Sequence, residues 1–134
     1  MFHHTEMPWM WVPNGHEEAV NQAIADSFAA KGSKEFAASV VGRLRGQQIS
    51  PKFKTSKIQK ALDLEPVKAD GDRFPIRPGD IILLSGPPGM DDEIRVVSGR
   101  KNALYFWKQN FGVEMSGIVV DSLQVCNGIF RSIK

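Results

Sequence analysis

Six cations and no acid lie between residues 40 and 60, in the stretch VVGRLRGQQISPKFKTSKIQK. Arg43, Arg45, Lys52, Lys54, Lys57 and Lys60 gathered on one surface would neutralise phosphates and give salt-dependent affinity for a nucleic acid. Gln47, Gln48 and Ser50 would add hydrogen bonds, and Phe53 a ring on which a base stacks. The same residues serve equally well as the charged complement of a protein partner, and a basic run on helix surfaces is also commonly just solvated. Against a helix-turn-helix, the connection between the two helices expected here is about twice the usual three or four residues and contains Pro51.

The remaining reactive side chains are few and scattered. Asp91, Asp92 and Glu93 are adjacent, but three consecutive residues rarely aim at one cation, and the spacing of an EF-hand loop is absent. His3, His4 and His16 are the only histidines, and no His or Cys pair has zinc-site spacing. Cys126 is the single cysteine, so no intramolecular disulfide forms, and a reducing cytoplasm is the expected compartment. The segment IILLSGPPGMDDE opens like the phosphate-binding loop of ring-forming ATPases, a strand followed by Gly86-Pro87-Pro88-Gly89. The resemblance stops there, because Met90, Asp91 and Asp92 stand where such a loop needs Gly-Lys-Ser or Gly-Lys-Thr to meet the phosphates. A tight surface turn is the expectation instead. No catalytic, cofactor or metal residue is assigned.

The elements that must hold these residues follow from periodicity. The chain has 134 residues, 42% apolar and 24% charged, which fits one globular domain. Its apolar runs are too short to span a bilayer, and no basic and apolar leader opens it. The net charge of +2 is unevenly spread: residues 1–35 sum to −3, residues 36–62 to +6 and residues 63–134 to −1. Such segregation hints at an electrostatic partner.

Trp9 and Trp11 alternate around Met10 in an N-terminal arm, residues 1–13, expected as a strand or an extended segment docked on the body or on a partner. Asn14 caps a helix with Val20, Ala23, Ile24 and Phe28 on one face, and Gly32 stops it. Ser33 begins a second helix with Phe36, Val40, Val41 and Leu44 inward, ended by Gly46, although the β-branching in ASVVG also suits a strand. Thr55 caps a short third one carrying Ile58, Ala61 and Leu62 inward, which Pro66 blocks.

Beyond Pro66 the pattern becomes that of strands, at 80–85 and in EIRVVS, while RKNALYFWKQNFG suits a helix or a strand. Asn127-Gly128 between apolar runs signals a hairpin. The expected fold is therefore α+β: a helical N-terminal half packed on a small antiparallel C-terminal sheet ending in a hairpin.

The functional expectation is a small non-enzymatic binding protein that acts by surface occlusion or assembly with a protein partner. Its style suits an accessory protein of a phage or mobile element, such as a host-factor inhibitor or virion component. Trp9 and Trp11 are the expected apolar anchors, with Arg43, Arg45, Lys52, Phe53, Lys54, Lys57 and Lys60 as the complementary surface. The alternatives are nucleic-acid binding through residues 43–60, and a small-nucleotide or other ligand pocket with or without turnover.

Overall fold

The computed structural model describes residues 4–121 and 123–133. Two short strands, β1 (His4–Glu6) and β2 (Trp9–Trp11), precede helices α1 (Glu17–Ala25) and α2 (Ser33–Arg45). A 3₁₀ turn (Thr55–Lys57) runs into α3 (Ile58–Ala61). Eight strands follow: β3 (Glu65–Pro66), β4 (Phe74–Ile76), β5 (Ile81–Leu84), β6 (Glu93–Val97), β7 (Leu104–Lys108), β8 (Gly112–Ser116), β9 (Val119–Asp121) and β10 (Cys126–Arg131). The fold is α+β, with the helices in the N-terminal half.

Six strands form one antiparallel sheet in the order β3-β10-β5-β6-β7-β8, a meander from β5 to β8 with β10 returning beside β5. β2 pairs in parallel with β4, and β1 antiparallel with β9. The four consecutive apolar residues of β5 are explained by cover on both faces of this sheet. Ile81 and Leu83 meet the helices together with Ile94 and Val96 of β6. Ile82 and Leu84 face the other way, with Val97, Leu104, Ile129 and the N-terminal Trp9. A strand buried on both faces reads as a continuous apolar run rather than an alternation.

The helical layer follows the expected stripes with local corrections. Val20, Ala23 and Ile24 of α1, and Phe36, Val40 and Val41 of α2, are buried as expected. α1 ends at Ala25, however, not at Gly32. Ser27 turns inward there, donating its hydroxyl to the Ala23 carbonyl at 2.7 Å and meeting the Ser39 hydroxyl at 2.7 Å. With the helix finished, Phe28 points outward and is 52% exposed. Asn14 is not the cap residue of α1, but its Oδ1 accepts the His16 N–H at 3.0 Å and sets the entry to the helix. Gly46 takes the left-handed conformation (φ 65°) that ends α2. Ile58 of α3 and Leu62 just after it are buried, but Ala61 faces solvent.

Residues 104–108 form a strand, as one of the two expectations for that segment had it, and left-handed Asn102 and Asn110 bracket it at its turns. Asn127-Gly128 is not a hairpin turn. It lies inside β10, where the register against β5 shifts between Cys126 and Gly128. A bulge uses the same permissive residues as a turn, which is why the sequence signal is shared. A Cβ at Gly128 would also come within 2.7 Å of the Phe130 ring.

The return strand is clamped by an ion pair. Asp80, 1% exposed, accepts from Arg131 Nε and Nη2 at 3.2 Å each and from the Arg77 N–H at 2.9 Å. Burial pushes the Asp80 carboxyl above its usual range, against the pull of Arg131 and Arg77 in the other direction.

Candidate binding groove

The opening through which the basic stretch meets solvent is shaped by Gly42. Past Gly46 the chain reverses and lies back along α2, with the Gln47 N–H donating to the Gly42 carbonyl at 2.9 Å. The Gln47 carbonyl oxygen sits 2.5 Å from where a Cβ on residue 42 would be, so only glycine permits this approach. Residues 47–50 then run beside Ala38, Ser39 and Arg43, around an open cleft of about 630 Å³. Pro51 comes opposite Lys31 to Glu35 at a second cleft of about 280 Å³. Thr55 and Ser56 reach Lys34 and the loop bearing Met90, Asp91 and Asp92, around a third of about 430 Å³. The second and third clefts share Lys34, and the first lies further along α2 toward its C-terminal end; the groove is this succession of clefts.

Its chemistry is polar and mixed in sign. Lys31, Lys34, Arg43 and Lys54 line it with Ser39, Gln47, Gln48, Ser50 and Ser56, and so do Glu35, Asp91 and Asp92. Arg43 is steadied through Nε, which donates to the Ser39 hydroxyl at 3.3 Å, and the side chain stays exposed. Glu35 reaches back to accept the Lys31 N–H at the start of α2, a capping contact. Across the groove, the Gly-Pro-Pro-Gly segment is the expected tight turn, closed by the Met90 N–H donating to the Pro87 carbonyl at 2.9 Å. Asn127 Nδ2 holds both carboxylate oxygens of Asp92 at 3.1 Å. This turn brings Asp91, Asp92 and the exposed Met90 opposite Lys34 and Lys54.

Of the residues expected to contact a partner, Arg43, Lys52, Lys54, Lys57 and Lys60 are exposed. Arg45 is spent inside the molecule. It donates to the carbonyls of Leu62, Asp63 (2.7 Å) and Ser132 (3.0 Å), tying α2 to the end of α3 and to the segment after β10. Phe53 is half-buried against the helix-side core, so its ring is engaged there and not presented for stacking. Lys31, Lys34, Asp91 and Asp92 join the groove from outside the 43–60 stretch. Helical spacing was the available signal for Lys34, which stands one turn from Ala38 on α2, whereas Lys31 precedes that helix.

The tryptophans require a correction as partner anchors. Trp9 is 2% exposed in the second core cluster, and its strand pairs with β4 in the register Trp9↔Phe74. Trp11 is half-buried and donates Nε1–H to the Ser98 carbonyl at 3.1 Å. The N-terminal segment is thus folded onto its own sheet, because that face of β5 and β6 needs an apolar cover and Trp9 supplies it.

Elsewhere, burial raises the pKa of the Cys126 thiol, which disfavours the thiolate that would act as a nucleophile. His16 is exposed beside the start of α1, and His3 lies outside the described residues. Among the described residues, no three His, Cys, Asp or Glu side chains converge as a metal site would need, and no helix is long and apolar enough to cross a membrane. Compared with protein-family models, curated proteins and solved structures, the chain finds no match.

Proposed function

We propose that this is a non-enzymatic binding protein whose working face is the groove between α2 and residues 47–56, and that its partner is a protein surface bearing both signs of charge. The observation that carries this reading is the mixed lining of the clefts: Lys34 and Lys54 share one with Asp91 and Asp92, and Lys31 and Lys34 share the next with Glu35. A polyphosphate backbone is held by uninterrupted positive potential and would meet three carboxylates here. A protein surface can set an opposite charge against each, which fixes register and excludes wrong partners. Exposed Met90 at the rim supplies an adaptable apolar contact. The inward placement of Phe53 and the internal use of Arg45 also weigh against base stacking and phosphate contact.

Nucleic-acid binding is the second reading, favoured by the exposure of Arg43, Lys52, Lys54, Lys57 and Lys60. One paired experiment separates the two. Labelled single-stranded and duplex oligonucleotides are titrated at about 50 and 200 mM salt, the range over which phosphate contacts lose orders of magnitude in affinity. In parallel, partners are captured by cross-linking with the wild type, with Lys34→Glu/Lys54→Glu, and with Lys68→Glu as an exposed control away from the groove. The proposal expects no oligonucleotide binding at the lower salt, and a protein partner that the double variant loses and the control keeps. Tight oligonucleotide binding that collapses with salt would replace it with the second reading.

A further inference from the structure

The two edges of the six-stranded sheet are treated very differently. At one end β3 has only two residues, one of them Pro66, which has no N–H to offer. At the other end, β8 presents five residues, Gly112 to Ser116, with no proline and no lysine or arginine. Short strands, prolines and lysines are the usual means by which edges avoid pairing with another chain, and β8 has none of them. Apolar groups also lie exposed along it: Met115 is 58% exposed and Phe111, at the hairpin tip, 68%.

We propose that β8 pairs antiparallel with β8 of a second copy of this chain, joining the two sheets across a two-fold axis at Val113. The register follows from the side chains. Trp107↔Val113 and Tyr105↔Met115 are opposite pairs on the helix-facing side, whereas Phe106↔Glu114 and Lys108↔Gly112 lie on the other. With Val113 opposite Val113 of the second copy, the exposed Met115 falls beside the hairpin tip of the second copy, where Phe111 is exposed.

On the other side, Glu114 falls opposite the second copy's Gly112, whose own neighbour in register is Lys108. Two strand spacings put the Lys108 and Glu114 backbones about 10 Å apart with only a glycine between them, within reach of an ion pair. Symmetry makes that pair twice. In the single chain Lys108 rests over the Phe111 ring at 5.1 Å, and neither Lys108 nor Glu114 makes an ion pair among the described residues. A register centred on Glu114 would set two carboxylates opposite each other, which is unfavourable.

Sedimentation velocity over a wide concentration range tests this with the wild type, Lys108→Glu, Glu114→Lys and the double exchange, each checked for folding by circular dichroism. The wild type is expected to reach dimer mass. Each single reversal places like charges together and is expected to weaken the dimer about tenfold or more, whereas the double exchange restores it. Hydrogen exchange on the unmodified protein gives an independent readout, because the amides among residues 112–116 that point away from β7 gain protection as concentration rises. A wild type that stays monomeric at every concentration overturns the proposal. So does a dimer that ignores both reversals, or one that forms without protecting those amides.

Discussion

Replacing Trp9 by alanine separates a core residue from a docking anchor. Trp9 lies at 2% exposure among Ile76, Ile82, Leu84, Val97, Leu104, Val120 and Ile129. A buried aromatic of this size covers about 150–250 Å². At about 25 cal/mol per Å² that is about 4–6 kcal/mol, and a compact unfolded ensemble lowers the figure by about 10–40%. The expected loss of about 3–5 kcal/mol agrees with large-to-small aromatic replacements in other cores. For 134 residues, an unfolding entropy of about 2.1 cal/mol/K per residue makes 1 kcal/mol worth about 3.5 °C in Tm. Trp9→Ala should therefore lower Tm by about 11–18 °C, read by far-ultraviolet circular dichroism and cross-checked by the guanidinium midpoint. Trp11→Phe keeps most of the apolar ring and loses the hydrogen bond to Ser98, and should cost only about 1 kcal/mol. A Trp9→Ala shift below about 3 °C would refute the reasoning, because it would mean that the indole covers nothing of consequence on the second face of the sheet.

Two further outcomes are expected. Arg45→Met should destabilise the fold by about 2–4 kcal/mol, since three carbonyls lose a charged donor, whereas Arg43→Met on the groove surface should stay within about 0.5 kcal/mol. Equal Tm values for the two variants would contradict the separate roles assigned to these arginines. At Asp80, removing one partner of a buried ion pair should cost about 3–5 kcal/mol in Asp80→Ala and less in Asp80→Asn, which keeps an acceptor for the Arg77 N–H. Because the folded carboxyl titrates above its ordinary value of 3.8, its contribution is fully present below that pH and is lost as pH rises through the folded pKa. The stability of the wild type relative to Asp80→Asn should therefore fall across that window, and a rise with pH in paired denaturant titrations would reverse the assignment.

The α+β architecture was legible because the helical stripes of α1 and α2, and the apolar run of β5, are local patterns. Phe28 and Asn127-Gly128 were misread for a shared reason. The outcome at each depends on where a neighbouring element ends or which strand lies alongside, and the local residues permit both answers. Periodicity could not distinguish strand from helix at residues 104–108 because Tyr105, Phe106 and Trp107 suit either, and pairing with β6 and β8 decides it. The basic stretch was visible as composition. That Arg45 serves the interior while Arg43, two residues earlier, faces the groove follows from their positions on α2, about 200° apart around the axis. The acidic side of the groove was hidden, since Asp91 and Asp92 reach Lys34 and Lys54 only through the sheet that carries the Gly-Pro-Pro-Gly turn.

The return of β10 beside β5 sets an order on how this chain can acquire its structure. β5 has one neighbour close in sequence, β6, while its other side waits for residues 126–130. Arg131 reaches Asp80 across 51 residues of sequence, and Trp9 pairs with a strand that begins at Phe74. During synthesis, α1 and α2 can therefore leave the ribosome well before the apolar sheet that they cover is complete. Until β10 arrives, one side of β5 carries unpaired backbone groups and Asp80 lacks its cation. Loops of this length close slowly compared with local contacts. The sheet of the nascent chain therefore closes only after nearly all of the described residues have been made, and in that interval its half-built edge is the segment most in need of protection from other chains.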